Sequence, residues 1–311
     1  MTNTTKEVFE KYQVRKTKKQ KTNFIEYVKS VAEQEGYSFK VEKGYFGAKN
    51  IVIGDPDTAK VVYTAHYDTC SVLPLPNFIT PKNIWIYLLY QLVLAMLIFI
   101  PIAVFDFISD SLIMHLGLDP FYAFLSTEFV CFLVLWLLIG GPANKHTAND
   151  NTSGVTALFD IMTALPPESR NSVALIFFDL EEAGTIGSAA FSSKHKKAMK
   201  DKLLVNFDCI SDGEHILFAV HKKARKFAPL LEQAFKANDN VTVEVATKGF
   251  FYPSDQANFP CGVGVAALKK TNKTNLLYMD RIHTNKDTVY REENIDFLVK
   301  GSVKLAELIT E

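Results

Sequence analysis

With 311 residues, 48% of them apolar, the chain can bury the core of one large domain and carry an appendage, which excludes a disordered protein. Lysine plus arginine and aspartate plus glutamate number 34 each, so no global field draws it to nucleic acid or to an acidic surface. Cys70, Cys131, Cys209 and Cys261 are widely spaced without a CxxC pair, which argues against a zinc knuckle or a disulfide framework and reads them as small buried hydrophobes.

The N-terminal stretch MTNTTKEVFEKYQVRKTKKQKTNF has a basic run but no apolar core or small-residue cleavage site, so no secretory signal is expected. From Asn23 to Glu35, Phe24, Tyr27, Val28 and Val31 fall at helical spacing, and Gly36 stops the run. YSFKVEKGYFGAKNIVIG predicts a strand pair. KVVYTAHYD, SVALIFFDLEE, KLLVNFDCISD, HILFAV and VGVAALK then read as short strands, separated by helical stretches such as TSGVTALFDIMTAL, TIGSAAFSSKHKKAMK and KKARKFAPLLEQAFKAN. This alternation predicts an α/β fold with a mostly parallel central sheet flanked by helices on both faces. NIDFLVKGSVKLAELI closes the chain as a helix, and no internal repeat is present.

The alternation is interrupted once, over residues 76–142, leaving a discontinuous main domain of residues 1–75 and 143–311. IWIYLLYQLVLAMLIFIPIAVF and FYAFLSTEFVCFLVLWLLI are each long enough to span roughly 30 Å of hydrocarbon at about 1.5 Å per residue. Two spans make a transmembrane hairpin whose ends return to one side, because the segments flanking it belong to one sheet. No lysine or arginine lies between Lys82 and Lys145, while the connector is expected to carry Asp106, Asp110 and Asp119. The positive-inside rule then puts the main domain in the cytoplasm, as part of a two-span membrane protein. The run Arg15, Lys16, Lys18, Lys19, Lys21 suits an anionic leaflet or a solvated helix end equally well. Glu128 is expected to face its partner helix or to be protonated. An apolar dimerisation arm or a hydrophobic lid is the other reading of the hairpin.

The strand tips carry the chemistry. His66 and Asp68 leave one strand on the same face, an arrangement that fixes an imidazole tautomer, although a hydrogen-bonded core histidine looks the same. Asp150 sits in the polar loop TANDNTSG, where Asn149 is a candidate helix cap. Asp208 ends another strand, and His283 lies in MDRIHTNKDT. Glu181 and Glu182 are adjacent at a strand tip and repel each other unless cations compensate them; one can then bind metal while the other acts on water. In an open parallel sheet such tips converge on the carboxyl edge, where ligands bind.

The ordered motifs HxD, DNxSG, EExG, a strand-end aspartate and HTxxD resemble the aminopeptidase Y type of zinc exopeptidases, whose relatives include glutamate carboxypeptidase and the glutaminyl cyclases. The resemblance covers roughly residues 20–310 outside the insert. It implies a zinc exopeptidase fold and two zinc ions, one held by His66, Asp150 and Asp208 and the other by Asp150, Glu182 and His283, about 3.5–4 Å apart. It further implies Glu181 as general base and Asp68 orienting His66. A peptide substrate follows, cut at its amino-terminal residue, with a glutaminyl cyclase-like acyltransferase or a non-catalytic receptor of the same fold as alternatives. Gln256 departs from the family's usual histidine in SDH. Phe250, Phe251 and Tyr252 either line a side-chain pocket or belong to the core. Membrane lipid is the other expected partner, with the hairpin at the rim of the active-site face.

Overall fold

The computed structural model describes residues 1–310. Two helices open the chain, α1 (Asn3–Lys11) and α2 (Lys18–Gln34). The second starts earlier than apolar spacing alone predicts because Thr17 and Gln20 close a capping box, each side chain accepting the other's backbone N–H. The hairpin β1 (Phe39–Lys43) and β2 (Lys49–Ile53) leads into β3 (Val61–His66). Two apolar helices, α3 (Ile84–His115) and α4 (Phe121–Gly140), precede α5 (Gly154–Ala164), β4 (Val173–Phe178), α6 (Ile186–Lys194) and β5 (Leu203–Phe207). The remainder comprises β6 (His215–Val220), α7 (Ala228–Ala234), β7 (Thr242–Ala246), β8 (Gly262–Lys270), β9 (Leu277–Tyr278) and α8 (Glu292–Leu308).

The strands form one sheet in the order β1-β2-β4-β3-β5-β8-β6-β7, with β9 paired to the end of β8. The fold is mixed α/β, and the sheet is mixed rather than mostly parallel. Only β4-β3-β5-β8 and β6-β7 run parallel, whereas β1-β2, β2-β4, β8-β6 and β8-β9 are antiparallel. At one flank the Gly44–Ala48 connection turns β1 straight back into β2, whereas the central strands and the edge pair β6-β7 are joined by the longer crossovers that parallel pairing requires.

Period two then sorts the core. In β4, Val173, Leu175 and Phe177 join the main apolar cluster with residues of α2, α5 and α8, while Ala174, Ile176 and Phe178 join a second cluster with Phe191, Met199 and Phe259. Both faces are covered, which is why the strands read as continuous apolar runs. Consecutive strands leave β3 in opposite directions, β4 to one side and β5 to the other, which puts the switch point of the sheet at its carboxyl end.

The two apolar helices stand apart from this core. They are long and apolar enough to cross a membrane, and their large side chains point outward, Trp85 being 78% exposed. Contrary to expectation, α3 does not end near Phe105 but runs to His115, where Gly117 at φ +65° turns the chain, so Asp106 and Asp110 lie on the helix and only Asp119 in the connector. Residues 106–115 hold no proline or glycine to break the helix, and α3 absorbs Pro101 just before them. Polar groups close the hairpin from within: Thr127 donates to Asp106 at 2.7 Å, and Ser109 meets Ser126 at 2.7 Å. Glu128 is half-buried. The insert leaves and re-enters the domain at one place, Val72 N–H bonding the Pro142 carbonyl at 2.9 Å and Asn144 N–H the Cys70 carbonyl at 3.1 Å.

The basic N-terminal run is largely spent inside the domain. Arg15 is fully buried, donating to the carbonyls of Tyr67, Tyr12 and Gln13. Lys21 pairs with Asp179 at 2.5 Å, and Lys16 donates to Ser71 and to the Ile139 carbonyl. Only Lys18 and Lys19 are left as exposed cations of that run.

Candidate metal centre

Parallel pairing sets the geometry. His66 ends β3 opposite Phe178, the last residue of β4, so the turn carrying Glu181 and Glu182 starts level with the histidine. Phe207 ends β5 on the other side of β3, and Asp208 follows it. Leu180, Cys209 and His283 adopt the left-handed backbone at φ 57°, 58° and 61°, which bends each tip over the crevice.

The loop over Ala148–Ser153 enters the crevice from the start of α5 and is wholly buried. Its Asp150 reaches both histidines with different oxygens: Oδ1 lies 3.2 Å from His66 Nε2, and Oδ2 lies 3.0 Å from His283 Nε2. His66 Nε2 is also 3.6 Å from Asp208 Oδ1, and His283 Nε2 is 3.1 Å from Glu182 Oε2. The five predicted ligand residues therefore fall into two groups joined at Asp150. The peptide after Asp150 is cis.

Supporting residues hold this loop. The Asp287 carboxylate accepts the N–H groups of Asn149 and Asp150 at 2.7 and 2.9 Å. Asn149, expected as a helix cap, instead accepts the N–H groups of Ser211 and Asp212, while Asn151 accepts from Gly154 at the start of α5. Gly154 is required there, since a Cβ would sit 2.4 Å from the Phe207 carbonyl. Gly187 packs likewise against Asp179, where a Cβ would approach the carbonyl to 2.2 Å.

Asp68 acts differently from the expectation. The oxygen nearest His66 Nδ1 is the Asp68 backbone carbonyl at 3.1 Å, with its carboxylate at 3.7 Å. The carboxylate accepts instead from the backbone N–H groups of Glu181 and Glu182, at 3.0 and 3.3 Å. It thus fixes the glutamate turn more directly than the imidazole.

The donor set fits a divalent cation. Imidazole nitrogens and carboxylate oxygens are zinc-type donors, and His66, Asp150 and Asp208 bring one ligand atom each within 4.8 Å of one another. Five carboxylates face two imidazoles here, an acidic excess that cations offset. Glu182 Oε1 is buried with no hydrogen-bond partner, although its sister oxygen meets His283.

A sequence profile of peptidase family M28 matches residues 134–298. The chain belongs to peptidase family M28. No curated protein matches it. Among solved structures, the LapA aminopeptidase of Legionella pneumophila is 17% identical with a TM-score of 0.56, over 99% of this chain and 70% of that one. A glutaminyl cyclase of Porphyromonas gingivalis is 13% identical with a TM-score of 0.57, over 99% of both chains. A leucine aminopeptidase precursor of Bacteroides thetaiotaomicron is 15% identical with a TM-score of 0.54, over 97% of this chain and 92% of that one. At these identities the likeness is one of fold, and the fold is shared by aminopeptidases and cyclases.

Electrostatics separate the two glutamates of this M28 site. Burial pushes Glu181 well above the ordinary carboxylate range, with His66 opposing and Asp208, Asp255 and Glu182 adding to the rise. Burial also raises Glu182, but His283 opposes it through both charge and a hydrogen bond. Burial works against charge on His66, yet Asp150, Asp208 and Asp68 hold it well above the usual histidine range.

Several residues at the centre escaped the sequence reading. The Cys70 sulfur lies within 4.8 Å of donor atoms of Glu182 and His283, where only a small hydrophobe was expected. Ser254 donates to the Asp208 carboxylate at 2.6 Å, and Tyr252, expected in a side-chain pocket or the core, donates to the Asp208 carbonyl at 2.9 Å. Asp287 was visible as the last letter of HTxxD, but its role needs the loop it holds. Gln256 is buried, bonded to Asn206 and to the Tyr252 carbonyl. Phe251 packs on Tyr87 at the foot of α3, and Phe250 stacks on His221.

Proposed function

We propose that this M28 chain is a membrane-tethered aminopeptidase that uses two zinc ions to remove amino-terminal residues from peptides. The observation that carries the proposal is Asp150, whose two oxygens address His66 and His283 separately. His66, Asp150 and Asp208 would hold one ion, and Asp150, Glu182 and His283 the other. Zinc bound there supplies Lewis acidity, polarising a carbonyl and making water easier to deprotonate. Glu181 removes a proton from the attacking water and passes it to the leaving amine. Asp68 keeps Glu181 and Glu182 in register through their backbone N–H groups, and Asp287 steadies the loop bearing Asp150.

The hairpin would span the bilayer with the catalytic domain in the cytoplasm, in contact with membrane lipid. The absence of lysine and arginine between Lys82 and Lys145 supports that orientation. Reporters fused in the 116–120 turn and at the C-terminus are expected on opposite sides of the membrane; finding both on one side contradicts it.

The deciding experiment is hydrolysis of aminoacyl arylamides by the detergent-purified chain, with Glu181→Gln alongside. Release of the amino-terminal residue should fall by at least about 100-fold in the variant while bound metal is retained. Cyclisation of an amino-terminal glutamine without release of amino acids would instead favour a cyclase.

A further inference from the structure

A cavity of about 380 Å³ opens beside the carboxylate cluster, toward the small end of the range for small-molecule sites. Asp68, Glu182 and Lys16 line it, together with Ile139, Gly140 and Gly141 at the end of α4. Lys16 is half-buried, and its ammonium donates to Ser71 Oγ at 2.9 Å and to the Ile139 carbonyl at 2.6 Å. Both acceptors are neutral, and one of its three N–H donors is left over. The second lysine in the wall, Lys21, is already paired with Asp179 at 2.5 Å. The cavity thus sets a cation with one N–H donor to spare in the same wall as Asp68 and Glu182, whose carboxylates it feels without a direct ion pair.

We propose that Lys16 binds the free carboxylate of the leaving residue, so that the substrates of this site are dipeptides. The proposal rests on the aminopeptidase reading. In a dipeptide the carboxylate follows the scissile amide by a single residue, and a cation in the wall of the same small cavity meets it with a charge-assisted hydrogen bond. Ile139, Gly140 and Gly141 at the end of α4 line the same cavity, which makes the hairpin part of the specificity pocket as well as a membrane anchor.

The test compares kcat/KM for Ala-Leu and for its carboxamide, using the detergent-purified full chain as wild type, Lys16→Met, Lys16→Arg and Lys21→Met. A hydrogen bond to a charged group predicts that the wild type favours the acid by about 10- to 100-fold. Lys16→Met should bring the acid-to-amide ratio close to one, Lys16→Arg should keep most of the preference, and Lys21→Met should keep it all. Because each ratio is taken within one protein, partial loss of folded material cancels. A wild-type ratio near one, or a preference that survives Lys16→Met, overturns the proposal while leaving the aminopeptidase standing. Cleavage of neither peptide, with arylamides also untouched, overturns the aminopeptidase reading itself.

Discussion

Phe24 on α2 and Phe107 on α3 are the same residue on helices of one chain, yet the first is 0% exposed and the second 73%. Phe24 lies among Tyr67, Phe159 and Phe177, with the Arg15 guanidinium over its ring. Phe107 has no such enclosure. Polar groups invert the pattern: in the hairpin they turn inward, Asp106 to Thr127 and Ser109 to Ser126, whereas in the domain most charged groups stay at the surface. A helix pair with an apolar outer surface and with Asp106, Ser109, Ser126 and Thr127 paired between the helices fits the proposed membrane span.

Substitution at the two positions sharpens this contrast. Phe24→Ala should destabilise the domain by about 3–5 kcal/mol, since it leaves a cavity in an enclosed aromatic cluster. Phe107→Ala in detergent should change stability by no more than about 0.5 kcal/mol, as for an ordinary surface position. Denaturant unfolding measures both. A large effect at Phe107 would mean that the hairpin packs against protein, as a dimerisation arm does.

Buried charge offers a subtler comparison. Glu42 is 4% exposed; burial would raise its carboxyl, but hydrogen bonds from Lys194, Lys40 and His195 hold it down at about 2. Its folded pKa lies below the ordinary value of 4.5, so the stability it contributes is present above pH 4.5 and is lost as pH falls through about 2. Glu42→Gln should therefore melt lower than wild type at neutral pH, and the gap should close across that acid window. A gap that stays constant with pH would show that the carboxylate's charge is not what these cations stabilise.

What was legible in the sequence was what depends on local pattern. Period two and helical spacing exposed the strands and helices, and charged residues at strand tips exposed His66, Glu181, Glu182 and Asp208, because a parallel sheet gathers such tips at one edge. The antiparallel pairs β2-β4 and β8-β6 were not legible because a continuous apolar strand reads the same in either direction. The run that holds Arg15 suits an anionic leaflet or a solvated helix end, and nothing local announces that the partners of Arg15 are carbonyls brought together by the fold. The same holds for Asp68, whose carboxylate is spent on N–H groups more than a hundred positions away, and for Cys70, an apolar-looking residue that only the folded site sets beside Glu182 and His283.

The pairing of two metal groups through Asp150 is tested most directly by the zinc content of the purified chain, measured by elemental analysis on wild type and Asp150→Ala side by side. A dinuclear centre predicts about two ions per wild-type chain and the loss of both when the shared carboxylate is removed. One ion in the wild type, or two that survive the loss of Asp150, would contradict it.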